Sequence, residues 1–240
     1  MDKLDLLQGK SLKIGKMEIR HPTIQEIFLY GEQNYEKAFN IFLLKPSDLM
    51  VQLYDIGIDY TELTNYDIFI LFCKELELKE NDSFVNNLYW ITGISDFELV
   101  TKNNNAFLKN KDGVIIDRAV YIQIRKFLLD ISFRDEKEKY NPGNSSTRKM
   151  IIEEERKKQA RLLKKEKKSV LSSQISSLIW GTKYGVNYEN IFKMHLYQFY
   201  DGLIRINRIM NYNYTMYGYY SGNISKKDFD NITDKIDWML

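Results

Sequence analysis

The residues best suited to chemistry are few and widely separated. His21, His195 and Cys73 are the only histidine and cysteine side chains in the chain, and so its only zinc-type nitrogen and sulfur ligands. Zinc takes four ligands in closely spaced pairs, a spacing that these three do not offer. Cys73 lies in the apolar run IFILFCKEL, which marks it as a buried structural thiol rather than a nucleophile. With one cysteine, no internal disulfide can form. His195 sits between Met194 and Leu196, where it reads as a hydrogen-bonded histidine beside a core. Asp228, Asp230, Asp234 and Asp237 lack the glycine and the terminal glutamate of a calcium loop, and read as a solvated helix face. There is no G-x-S-x-G elbow, Walker loop or glycine-rich dinucleotide turn. No catalytic, metal or cofactor residue is therefore assigned, and a non-enzymatic role is expected.

Two stretches are suited to binding instead. The first is RKKQARLLKKEKK, Arg156 to Lys168, with eight basic residues and one acidic. Arg156, Lys157, Lys158, Lys164 and Lys165 could meet phosphates or an acidic protein surface. Glu153, Glu154 and Glu155 just before it favour a solvated helix, with acids near its start and bases near its end to suit the macrodipole. The second is the run Tyr212, Tyr214, Tyr217, Tyr219 and Tyr220. Tyrosine offers large contact area with a polar tip, which suits packing or a protein interface. No basic residue lies between Arg208 and Lys226, so the charge that normally accompanies base stacking is missing.

These stretches must be positioned by helices. The 240 residues are 44% hydrophobic and carry a net charge of +2, which points to neither a polyanionic nor a polycationic partner. Three prolines and twelve glycines favour long helices over a turn-rich sandwich. The N-terminus lacks an apolar signal core, and the longest apolar run, Ile68 to Cys73, is far short of a membrane span. A soluble, intracellular protein is expected.

The organising stretch is Asn190 to Asn211. Phe192, Leu196, Phe199, Leu203, Ile206 and Met210 recur at helical steps, predicting one apolar face, with Asn187 as cap. Upstream, Leu12 to Ile19 alternate around Gly15 as a hairpin. Thr23 with Glu26, and Thr64 with Asp67, are capping boxes that open helices. A break is expected near Gly31 and an end at Pro46. Residues 97–116 read as strands with a turn at KDG, and Asp117 caps a following helix. Helices are expected over 148–168 and 170–180, and a short one from Ser225. The fold class is mainly α with small β-hairpins: an α+β N-terminal half over 1–132, a loop or linker over 133–147 and an all-α half over 148–240.

RHPTIQEIFLYGEQNY from Arg20, with GIDYTELTNYDIF from Gly57, resembles tail-region proteins of phages that infect Gram-positive bacteria. SQISSLI from Ser173, KYG at Lys183 to Gly185, YQFYDGLIRI from Tyr197 and YYSG at Tyr219 are similar in pattern. The resemblance implies a tail assembly chaperone or a small tail or baseplate component. Its partners would be other virion proteins or itself, without nucleic acid or membrane. Its place would be the host cytoplasm during assembly, or the virion tail. The alternative reading is a nucleic-acid-binding module that uses the 156–168 helix.

Overall fold

The computed structural model describes residues 1–74, 82–103, 105–136, 143–164, 169–181 and 185–230. The fold is mainly helical with two small antiparallel sheets, as the sequence predicts. After α1 (Lys3–Leu7), β1 (Leu12–Ile14) and β2 (Met17–Ile19) pair around Gly15, whose φ of 58° suits a glycine turn. α2 (Ile24–Tyr30) starts at the expected capping box: Glu26 N–H donates to Thr23 Oγ1 at 3.2 Å, and Thr23 N–H donates to Glu26 Oε2 at 2.7 Å. Gly31, at φ 91°, separates α2 from α3 (Glu32–Leu43). A 3-10 turn at Pro46–Leu49 leads into α4 (Met50–Asp55). α5 (Asn65–Cys73) begins at the second capping box, Thr64 with Asp67. α6 (Asp82–Thr92) precedes a three-stranded sheet of β3 (Glu98–Lys102), β4 (Asn105–Lys109) and β5 (Ile115–Ile116).

α7 (Arg118–Ser132), capped by Asp117, lies at the centre. It buries Tyr121, Ile124, Phe127, Leu128, Leu129 and Ile131, and packs on α3 and α10. α8 (Ser145–Leu163) and α9 (Val170–Gly181) follow, and α10 (Leu196–Tyr220) is the longest helix. The main hydrophobic cluster joins residues from both sides of the 133–147 segment, among them Phe39, Phe42, Leu128, Leu178, Leu196 and Phe199. A second, smaller cluster joins Met50, Leu53, Tyr60 and Ile68 to Ile152 of α8.

Three expectations need correction. The organising helix begins at Leu196, not Asn190. Its upstream end is captured by the strand before α2: Ile24 N–H donates to Met194 O at 3.0 Å, and Leu196 N–H donates to Pro22 O at 2.9 Å. That bridge holds His195 extended, at ψ 156°, and so interrupts the helical period. Asn187 consequently caps a turn, accepting from the N–H groups of Glu189 and Asn190, and the helix cap falls to His195. Second, the apolar stripe is not buried throughout. Leu196 and Phe199 are fully buried and Leu203 and Ile206 partly so, whereas Met210 is 43% exposed. Third, α8 begins at Ser145 rather than residue 148, because the Asn144 side chain accepts from Thr147 N–H at 2.8 Å. Of the helix expected from Ser225, residues 226–230 are helical and the rest lies outside the described residues.

Candidate protein-interaction surface

The tyrosine run is not a separate segment but the last three turns of α10. α9 runs against the first part of that helix. A side chain on Gly202 would sit 3.2 Å from Leu178, and one on Gly181 would sit 3.3 Å from Ile206. α9 ends at Gly181, so α10 continues past its neighbour over residues 207–220, roughly 21 Å of helix. Ile209 and Met210 are exposed there, as are Tyr214 at 66%, Tyr217 at 72% and Tyr220 at 76%. Met210, Tyr214 and Tyr217 continue the face that Leu196 and Phe199 bury further back. Trp180, at the end of α9, is 78% exposed.

The other side of the same helix is covered. The chain turns at Gly222, and Ile224 lies so close to Gly218 that a Cβ there would be 2.6 Å from it. Phe229 stacks on Tyr219, with ring centroids 4.4 Å apart and 27° between planes. Tyr212 and Tyr219 are accordingly half-buried. The five predicted tyrosines therefore divide: Tyr214, Tyr217 and Tyr220 face solvent, while Tyr212 and Tyr219 lie on the covered side.

Between Ile209 and Ser225 the sequence holds no charged residue. This surface can bind through apolar area and neutral hydrogen bonds of hydroxyl and amide groups, without ion pairs; depletion of charge is a mark of an interface centre rather than of a rim.

The basic stretch is placed differently. Ile152 is the buried residue of α8 and sits in the second cluster, laying the helix along α4. Arg156 grips Asp55 with both ends of its fork, at 2.6 and 3.1 Å, and Arg148 pairs with Asp59. Lys158 lies 3.2 Å from Glu155 on its own helix. Lys157 and Lys164 are exposed, and Lys165 lies outside the described residues. Arg156 is thus engaged within the chain, in a solvent-exposed pair that reaches from α8 to α4.

The two histidines meet. His21 is buried, with Nδ1 3.2 Å from Lys10 O and Nε2 accepting from Tyr197 N–H at 3.2 Å. A carbonyl cannot donate and an amide N–H cannot accept, so the ring must be neutral with its proton on Nδ1. Burial and the neighbouring His195 hold its pKa down to about 4. His195 donates from Nδ1 to His21 O at 2.9 Å. Both rings thus join the N-terminal strands to the start of α10, the structural role expected of His195. Cys73 is fully buried, and burial pushes its thiol pKa up. Among the described residues, no three of His, Cys, Asp and Glu gather as a metal site. Ser225 caps the helical residues 226–230, its Oγ accepting from Asp228 N–H at 3.2 Å and donating to Asp228 Oδ2 at 2.6 Å, and Asp234 and Asp237 lie outside the described residues. No described helix is long and apolar enough to cross a membrane.

Trp180 was not singled out by sequence, because its exposure depends on where α9 stops against α10. The signal present was its position immediately before the helix-ending Gly181.

The outer turns of α10 thus present an uncharged face with exposed aromatic side chains. Residues 164–239, which include α9 and α10, match the family model of the YomV second domain. YomV is phage-encoded, and the match is consistent with a phage protein. No curated protein and no solved structure matches the chain.

Proposed function

We propose that this chain is a non-enzymatic protein of phage tail morphogenesis, acting as an assembly chaperone or as a small tail or baseplate component. It works by binding another virion protein, or itself, through the exposed end of α10. One observation carries this reading: the apolar face of α10 runs on for three turns beyond the end of α9 with Met210, Tyr214 and Tyr217 uncovered. Exposed aromatic clusters of this kind mark interaction sites on soluble proteins. The YomV second-domain match covers the same helices and supports a phage setting. The resemblance of the Arg20–Tyr35 stretch to tail-region proteins supports the tail in particular.

The test is co-purification with the proteins encoded beside it. Tyr214→Ser combined with Tyr217→Ser removes two exposed anchors and leaves the Tyr219–Phe229 stack untouched. Association should weaken by roughly ten- to a hundredfold if each tyrosine contributes as interface aromatics do. A folded double mutant that associates as well as wild type would refute this surface.

A further inference from the structure

A cleft of about 540 Å³ lies beside α7, lined by Tyr66, Arg118, Lys126, Asp130, Arg134 and Glu136 around a buried arginine, Arg125. We propose that this cleft is an oxyanion-binding site, in which Arg125 grips a phosphate or carboxylate group of a small molecule. The inference is independent of the α10 surface and of the phage reading.

Arg125 is 3% exposed. One nitrogen, Nη1, anchors it: it donates to Phe42 O at 2.6 Å and lies 3.3 Å from Tyr121 Oη and 3.4 Å from Leu44 O. Tyr121 Oη is itself held between Asn65 O and Phe42 O, at 3.0 and 3.1 Å. The guanidinium is thus fixed in orientation. Its other two donor nitrogens, Nε and Nη2, are buried and have no hydrogen-bond partner among the described residues. These two lie on one edge of the planar group. That edge is the fork that meets the two oxygens of a carboxylate or phosphate in parallel. A buried charged donor without a partner is among the costliest arrangements in a protein, so an occupied fork is the expected state.

The neighbours do not fill it. Arg134 is turned to Glu36 and Asn40, at 2.6 and 3.1 Å. Glu136 Oε1 is 3.9 Å from Arg125 Nε, beyond hydrogen-bonding range, and its side chain is 71% exposed. With Arg134 neutralised by Glu36, the lining retains three cations (Arg125, Arg118, Lys126) against two carboxyls (Asp130, Glu136). A monoanion would balance that excess. Arg118 and Lys126, both exposed at the rim, would draw it in, and the Glu136 carboxylate would oppose it.

The experiment observes the Arg125 Nε–H resonance in ¹⁵N-labelled full-length protein at low ionic strength, during separate titrations with inorganic phosphate and acetate. A saturable shift with either anion is expected, and the anion that binds tighter identifies the source of the group. Glu136→Gln should tighten binding severalfold and Arg118→Gln should weaken it. Arg125→Lys keeps the charge but not the fork and, followed by the backbone amide resonances of α7 because its Nε–H is gone, should weaken it about tenfold. The two rim variants keep the test valid if Arg125→Lys fails to fold. The absence of a saturable shift in both wild type and Glu136→Gln would overturn the proposal. So would a shift that both rim variants leave unchanged, which is a general salt effect.

Discussion

His21 and His195 are 174 positions apart in the chain, yet their rings lie 5.0 Å apart at the junction of the N-terminal strands and α10. The pair makes stability depend on pH in a defined sense. His21 is neutral in the fold, with its pKa lowered from 6.5 to about 4 by burial and by His195. Between those values the unfolded chain binds a proton that the native state does not. Stability is therefore complete above the unfolded pKa and falls as pH drops from about 6.5 towards 4. Urea unfolding at pH 7 and pH 5 should differ by about 2 kcal/mol from this group alone. His21→Gln, less stable at pH 7, should show a shallower pH dependence. An unchanged slope would refute a neutral His21.

Gly9 faces the same junction. Its φ is 73°, and a Cβ there would lie 2.0 Å from His195 Cδ2. Gly9→Ala should destabilise by roughly 2–4 kcal/mol, from left-handed strain and steric overlap together. Gly15→Ala is the control. It shares a positive φ, of 58°, but nothing lies within 4 Å of the added carbon, so only the strain of about 1–2 kcal/mol applies. Equal losses for the two would show that the His195 contact does not matter.

Positions on one stripe of α10 should differ sharply. Phe199 is fully buried, Leu203 is half-buried and Met210 is 43% exposed. Phe199→Ala should cost roughly 3–5 kcal/mol and Leu203→Ala less, while Met210→Ala should cost under about 1 kcal/mol. Thermal or chemical unfolding orders the three. A loss at Met210 as large as that at Phe199 would mean that the outer face is covered.

The attachment of α8 should rest on Ile152 more than on its ion pairs. Ile152→Ala removes its one buried side chain and should cost roughly 2–4 kcal/mol. Ile152→Asp should free the helix, so that trypsin cleaves within 148–164 much faster than in wild type. Arg156→Gln breaks a solvent-exposed pair with Asp55 and should change stability little. Faster cleavage in Arg156→Gln than in Ile152→Ala would reverse that ranking.

The sequence by itself determined the features that rest on a few neighbouring residues. The boxes at Thr23 and Thr64, the cap at Asp117, the break at Gly31 and the turn at Gly15 are all where local chemistry requires them. Each depends on hydrogen bonds or backbone geometry spanning at most four residues, so periodicity and residue type suffice. The tertiary structure alone decided where α10 starts, since Pro22 and Ile24 claim the backbone groups of Leu196 and Met194 from across the chain. It also decided that Arg156 serves Asp55, 101 positions away, and that Arg125 turns one edge into a cleft. Helical spacing shows that a face is apolar, but only the length of the neighbouring helix decides where that face is buried. Because α9 ends at Gly181, the stripe that forms the core at Phe199 is an open surface by Tyr217.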